Sequence, residues 1–263
     1  MSIARFAKKK LNQQKLSMVT CYDYPSAKIA AQTDIDVLLI GDSVAMVVHG
    51  FDSTVMATME MMVLHTKAVA RGVGRQFIVA DMPFMAHRGS LEKTVENAKQ
   101  LIQAGAHAVK IEGADLYTLD AISHLVTSSI PVMGHIGLQP QSILALGAYK
   151  VQGRCEDSQK RLLQEAQALQ NAGCFSVVLE CVPETFAKAV TDSLIIPTIG
   201  IGAGAHTDGQ VLVWHDALGL QNQWVPKFVK QYQPSESLMI QALQQYHHEV
   251  EQGIFPAREH CYE

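Results

Sequence analysis

Cysteine is scarce and follows no pairing pattern. The five cysteines, Cys21, Cys155, Cys174, Cys181 and Cys261, are scattered and odd in number, and none is spaced as C-x-x-C. That excludes a disulfide framework and a structural zinc, and it fits a reduced, cytoplasmic protein. Long apolar runs are absent too. None approaches the ~18 residues of a membrane span, and the stretch from Met1 to Gln14 is basic and polar without a central apolar segment, so no signal peptide is expected. There is no surplus of positive charge. A net charge of -4 leaves no footprint for nucleic acid, and the short run Lys8-Lys9-Lys10 reads as a solvated leader. Charged residues are few, 17% against 48% hydrophobic, so the chain can bury a large core and is not disordered.

No linker or compositional break divides the 263 residues. That length suits one (β/α)₈ barrel, which runs to about 250 residues. One domain, 1–263, is expected, with a short N-terminal leader and a C-terminal helix. Eight brief apolar runs bounded by turn residues predict strands at Met18–Tyr22, Val37–Gly41, Phe77–Ala80, Ala108–Ile111, Pro131–Gly134, Ser176–Leu179, Thr198–Gly200 and Val211–Trp214. Helical periodicity lies between most of them. Leu91, Val95, Ala98, Leu101 and Ile102 share one face of Leu91–Ala104, and Leu162, Leu163, Ala166 and Leu169 share one face of Ser158–Ala172. A last helix is predicted at Ser235–Glu251. Two units look alike: Gly105 and Gly173 each end a helix in the left-handed conformation, and a glutamate, Glu112 or Glu180, follows seven residues later. Strand–helix alternation predicts an α/β fold, a closed parallel barrel, with an open doubly wound sheet as the alternative.

What ends each strand is the informative feature. Strand one stops near Tyr22-Asp23, strand two at Gly41-Asp42-Ser43, strand three at Asp81, strand four at Glu112, strand five at His135, strand six at Glu180 and strand eight at His215-Asp216. The C-terminal face of a barrel is where active sites form. Asp42, Asp81 and Glu112 end three successive strands about 4.8 Å apart, so they either converge on one hard cation or serve separate salt bridges. Lys110 shares a face with Glu112 and needs a partner, either a protein carboxylate or a substrate carboxylate. Glu180 lies across the barrel, flanked by Val177-Val178-Leu179 and Cys181-Val182, as a proton acceptor or a paired core glutamate. His135 is either a donor to substrate or a satisfied core histidine. Gly200-Ile201-Gly202-Ala203-Gly204 lacks the G-x-G-x-x-G spacing and reads as a tight turn that lets a ligand approach the backbone. Met56, Met59, Met61 and Met62 read as core or adaptable lining.

Further segments stand in the same order: Thr20-Cys21-Tyr22-Asp23-Tyr24, Ile40-Gly41-Asp42-Ser43, His49-Gly50-Phe51-Asp52-Ser53-Thr54, Ala80-Asp81-Met82-Pro83-Phe84-Met85, Val109-Lys110-Ile111-Glu112-Gly113, Gly134-His135-Ile136-Gly137-Leu138, Tyr149-Lys150-Val151-Gln152-Gly153-Arg154, Leu179-Glu180-Cys181-Val182-Pro183 and Val225-Pro226-Lys227-Phe228. Together they resemble the ketopantoate hydroxymethyltransferase family along nearly the whole chain. Ala45 and Ala114 stand where that family usually has glycine.

The resemblance implies a barrel of the phosphoenolpyruvate mutase/isocitrate lyase type. It implies magnesium on Asp42 and Asp81, with Glu112 completing the site. Ser43 and Lys110 would bind a 2-oxo acid beside the metal aspartates, with His135 as a further donor, and Glu180 would be the proton acceptor. The implied reaction moves a one-carbon unit from 5,10-methylenetetrahydrofolate to 3-methyl-2-oxobutanoate, giving 2-dehydropantoate on the way to pantothenate and coenzyme A. A homo-oligomer, a decamer of two pentameric rings, is implied as well. Two alternatives are another magnesium-dependent 2-oxo acid lyase or mutase of the same barrel, and a non-catalytic oxo-acid binder. The lyases carry a cysteine in a mobile loop, and neither Cys21 nor Cys181 sits in such a motif; a binder has no need of a base such as Glu180.

Overall fold

Each apolar run is buried on both faces, so its main chain is satisfied only by neighbouring strands of the same kind. In the computed structural model, which describes residues 2–221 and 225–262, the strands are β1 (Leu16–Thr20), β2 (Val37–Ile40), β3 (Phe77–Asp81), β4 (Ala108–Glu112), β5 (Val132–Gly137), β6 (Ser176–Glu180), β7 (Thr198–Ile201) and β8 (Gly209–Leu212). All pair in parallel, in chain order, and β8 closes on β1. The helices are α1 (Ile3–Leu11), α2 (Tyr24–Ala30), α3 (Val44–Val47), α4 (Met59–Gly72), α5 (Leu91–Gln103), α6 (Leu116–Thr127), α7 (Ile143–Leu146), α8 (Glu156–Asn171), α9 (Glu184–Ser193), α10 (Trp214–Ala217) and α11 (Ser235–Glu251). The closed barrel replaces the open sheet as the architecture. The chain divides into two compact units, Met1–Leu212 and Val213–Glu263. The first contains the barrel, and the second contains α10 and α11. Among the described residues no helix is long and apolar enough to cross a membrane.

The pleat sends every second side chain inward. Leu16, Met18, Val37, Leu39, Phe77, Val79, Ala108, Met133, Val178, Ile199 and Val211 belong to one buried cluster. Two residues further along the same strands, Val79 leads to Asp81, Ala108 to Lys110 and then Glu112, Met133 to His135, and Val178 to Glu180. One parity therefore builds an apolar lower barrel and a polar upper one.

The lower end is closed by the segment expected to be a solvated leader. It is helix α1, and its Phe6 is fully buried. Phe6 meets Phe77 edge-on at 5.3 Å between ring centroids and Phe175 at 5.0 Å. Lys9 pairs with Asp36 at 2.5 Å, and Lys10 pairs with Asp208 at 2.8 Å. Those aspartates also accept from the strand amides of Ser17 and Thr198. Only Lys8 of the basic run is exposed. The expectation failed because composition shows charge but not the single aromatic that turns a polar helix into a plug.

Other local expectations divide. Gly105 and Gly173 do take positive φ, 113° and 98°, after α5 and α8. The buried face of α5 is Thr94, Asn97, Ala98 and Leu101, with Leu91 exposed, because Asn97 is drawn inward to donate to the Ala86 carbonyl at 2.8 Å. Gly202 and Gly204 have positive φ as a tight turn requires. The Glu184 side chain of α9 occupies the space that a Cβ at Gly204 would need. Of the four clustered methionines only Met62 is fully buried, and Met56 is exposed.

Phe6→Ala is expected to destabilise the protein by about 3–5 kcal/mol, the range for removing a buried phenylalanine side chain. Lys8→Ala, at the exposed position of the same helix, should stay within about 0.5 kcal/mol of the parent. Urea unfolding of the two variants beside the parent measures both.

Candidate active site

Asp81, Lys110, Glu112 and His135 all point into the upper barrel and are 2–5% exposed. The register explains who meets whom: Asp81 pairs with Lys110 across β3 and β4, Glu112 with His135 across β4 and β5, and Gly137 with Glu180 across β5 and β6. Gly137 has φ 94°, and a Cβ there would strike the Glu180 carbonyl oxygen. Only glycine lets β6 come this close, with the Leu138 amide donating to that same oxygen at 2.8 Å. Cys181, directly after Glu180, holds a left-handed φ of 47° without being glycine, an unfavourable backbone of the kind that persists beside functional groups.

The polar groups form a closed circuit. Lys110 Nζ lies 3.3 Å from Asp81 Oδ1 and 3.8 Å from Glu112 Oε1. His135 Nδ1 lies 3.5 Å from Glu112 Oε1 and 3.2 Å from Lys110 Nζ. It can donate to the first or accept from the second, not both. His135 Nε2 faces Glu180 Oε2 at 3.3 Å without an aligned hydrogen bond. Asp81 Oδ2 accepts from the Asp42 amide at 3.0 Å. Gln141 then joins the ends: its Nε2 donates to Asp42 Oδ2 at 2.8 Å, and its backbone amide donates to Glu112 Oε2 at 3.1 Å. Ser43 Oγ shares a hydrogen bond of 2.8 Å with the buried hydroxyl of Tyr22.

Electrostatics separates these groups into two classes. Burial pushes the Glu112 carboxyl up, but His135, Lys110 and the Gln141 amide outweigh it and hold it below the usual glutamate value. Burial, then the carboxylates of Asp81 and Glu112, hold Asp42 well above the usual aspartate value. Burial also raises Asp81, against the opposing pull of Lys110. Burial and Lys110 push the His135 imidazole down, yet Glu112 and Glu180 prevail and carry it up to about 9, so the ring donates to Glu112. Burial works against the charge on Lys110 as well, and Asp81, Glu112 and Asp42 overturn that and raise it.

A divalent cation fits this donor set. Among the described residues the four carboxyls of Asp42, Asp81, Glu112 and Glu180 share two cationic partners, Lys110 and His135. Asp81 Oδ1 is buried and accepts no hydrogen bond. Among the described residues no three His, Cys, Asp or Glu side chains gather closely enough to hold a metal unaided. Glu112 is committed to His135, Lys110 and Gln141, so Asp42 and Asp81 are the available pair. Magnesium is commonly held by one or two carboxylates, with waters and substrate oxygens filling the rest.

The structure brings together every residue proposed for the site: Asp42, Ser43, Asp81, Lys110, Glu112, His135 and Glu180. Asp23 is instead a helix cap, accepting from the Ser26 amide, and His215 and Asp216 lie in α10 of the second unit. Gln141 was missed, because it sits in a short turn after β5 where no periodicity marks it. Tyr22 stood in a matched segment without a role. Cys21 and Cys181 are not poised as thiolate nucleophiles: burial carries each thiol up to about 12.

A family model described as ketopantoate hydroxymethyltransferase matches residues 1–258. The 3-methyl-2-oxobutanoate hydroxymethyltransferase of Legionella pneumophila (strain Lens) is 60% identical over 262 residues, covering 100% of each chain. The enzyme of the same name from Francisella tularensis subsp. tularensis is 52% identical, covering 100% of this chain and 98% of its own. Among solved structures, a phosphonopyruvate hydrolase in complex with oxalate and Mg++ superposes with a TM-score of 0.63 at 11% identity, over 99% of this chain and 93% of its own. A 2,3-dimethylmalate lyase of the PEP mutase/isocitrate lyase superfamily gives 0.62 at 17% identity, over 99% and 91%. These structural likenesses establish the barrel type.

Lys110→Met is expected to cost about 3–5 kcal/mol, as when one partner of a buried pair is removed. Without the lysine, Asp42 and Asp81 are raised further above their unfolded value of about 3.9. A raised carboxyl keeps its contribution below that value and loses it as pH climbs through the folded pKa. The deficit relative to the parent should therefore widen from pH 4 towards pH 8, read by denaturant unfolding at each pH. A deficit constant with pH would show that the lysine acts only through packing.

Proposed function

The chain belongs to the ketopantoate hydroxymethyltransferase family, and from that premise we propose how its upper barrel carries out the family's reaction. It is a hydroxymethyltransferase acting on 3-methyl-2-oxobutanoate, in the pathway to pantothenate. In our reading the one-carbon donor is 5,10-methylenetetrahydrofolate, the products are 2-dehydropantoate and tetrahydrofolate, and water supplies the hydroxyl oxygen. The observation that carries the assignment is the arrangement of carboxylates: an under-compensated pair, Asp42 and Asp81, on one wall, and Glu180 on another.

Asp42 and Asp81 would hold the divalent cation, magnesium in our reading, with Glu112 beside them. Such an ion supplies Lewis-acid polarisation of the ketone and carboxylate oxygens of a 2-oxo acid. Lys110 and Ser43 orient the substrate, the lysine by charge and the serine through a hydroxyl held by Tyr22. Glu180 takes the proton from the branched carbon beside the ketone. Its side chain is 16% exposed, the most accessible carboxylate of the circuit, so a substrate can reach it. His135, 3.3 Å from Glu180, keeps a positive charge next to the base. Water displaces the folate nitrogens from the methylene carbon, the nitrogens taking protons, and the carbon left with the electron pair attacks the resulting formaldehyde-level unit, whose oxygen becomes the protonated hydroxyl. A cysteine-dependent lyase reading is disfavoured by the raised thiols of Cys21 and Cys181. The same reading takes the protein as cytoplasmic and homo-oligomeric, and sedimentation velocity on the purified chain checks the decamer.

Glu180→Gln retains size and removes the basic oxygen. Turnover should fall by about 10²–10⁴-fold, the usual contribution of a positioned general base, while 3-methyl-2-oxobutanoate still binds. The parent should exchange the proton of the branched carbon with solvent deuterium, followed by NMR, and the variant should not. Rapid exchange in the variant would assign the base elsewhere. Exhaustive chelation should abolish both exchange and turnover, and added magnesium should restore them. Full activity in metal-free protein would remove the cation from the reaction.

A further inference from the structure

Gln141 has no charge, lies in a single 3₁₀ turn, Pro140–Ser142, outside the strands that frame the barrel mouth, and is only 6% exposed. Nothing assigned to the reaction so far uses it. Its contacts are nevertheless concentrated on the carboxylate site. The side-chain amide donates to Asp42 Oδ2 at 2.8 Å and to the Met82 carbonyl at 3.0 Å. The backbone amide of the same residue donates to Glu112 Oε2 at 3.1 Å. One residue from the connection after β5 thus reaches the ends of β2, β3 and β4, the three strands that lead to Asp42, Asp81 and Glu112.

The chemistry of these contacts is directional. The Met82 carbonyl can only accept, so the amide is oriented with its NH₂ towards it and towards Asp42. Both side-chain donors are then used, one holding the turn to the end of β3 and the other holding Asp42. With Oδ2 of Asp42 engaged, the carboxylate cannot rotate freely, and Oδ1 is the oxygen left for an ion. Glu112 is fixed in the same way by the main chain, which turns one oxygen to Gln141 and leaves the other to Lys110 and His135.

We propose that Gln141 is a positioning residue for the divalent-cation site: it orients Asp42 through its side chain and Glu112 through its backbone, and so sets the affinity of the site for metal without touching metal or substrate. The proposal rests on the cation assignment made for Asp42 and Asp81. Groups that orient ligating side chains in this way typically alter metal affinity by about 10–100-fold when lost.

The test is titration of the full-length protein with Mn²⁺, with free ion read by electron paramagnetic resonance and with no substrate present. Gln141→Met keeps length and apolar bulk but has no donor, and it should bind Mn²⁺ about 10–100-fold more weakly than the parent. Gln141→Asn keeps an amide but is one methylene short of spanning Asp42 and Met82, and it should weaken binding as well; it serves if the methionine variant does not fold. Phe6→Ala, destabilised at the far end of the barrel, should bind Mn²⁺ like the parent, which separates positioning from general loss of stability. Activity of Gln141→Met should recover at raised magnesium, through a shift in the metal concentration for half-maximal rate. Binding of Mn²⁺ by a folded Gln141 variant within about twofold of the parent, well short of the loss expected of an orienting group, would overturn the positioning role alone. Absence of Mn²⁺ binding by the parent would overturn the cation assignment, and this proposal with it.

Discussion

The interaction on which the upper barrel depends is the one between Lys110 and the carboxylates around it. Charged groups this deeply buried persist only when they are paired and hydrogen-bonded. Lys110 reaches Asp81 and Glu112 from between them, in reach of His135 on the next strand. It does not have charge enough for all. Glu112 is fully compensated because it also has His135 and a backbone amide, whereas Asp42 and Asp81 remain above their usual range. That imbalance is what supports the proposal that the two aspartates hold a dication.

The two ends of the barrel solve opposite problems with the same strands. Below, Phe6, Phe77 and Phe175 pack edge to face and exclude water. Lys9 and Lys10 bind aspartates that also hold strand amides, so the plug is tied to the barrel's own rim. Above, the inward positions are polar, with Asp81, Lys110, Glu112 and His135 buried together. Mounting reactive groups on strands rather than on free loops holds them to the precision that chemistry needs. The packed lower half is what keeps those strands from shifting.

The structural relatives share the barrel at 11% and 17% identity and carry out different reactions by their names. The fold alone therefore says little about chemistry, which resides in the side chains at strand ends. Here the local features are a glutamate on β6 facing a histidine on β5, and thiols raised by burial.

The eight strands, the parallel closure and the inward set from Asp81 to Glu180 were legible in the sequence. They follow from short-range regularities, namely apolar runs of strand length, glycine helix ends, and a period of two that carries parity from Val79 to Asp81 and from Val178 to Glu180. The ordered motifs named the family, and the carboxylates at successive strand ends pointed to a cation. What tertiary structure decided has no period. Gln141 meets Asp42 across 99 residues of chain, Lys10 meets Asp208 across 198, and Glu184 packs into the space beside Gly204. Asp23 and Asp81 look alike in sequence, each closing an apolar run. Closure of the barrel sends Asp81 inward to a buried lysine and leaves Asp23 in a turn as a helix cap. The reason is physical: local pattern sets which face a residue takes, but the partner waiting there is supplied by a distant part of the chain.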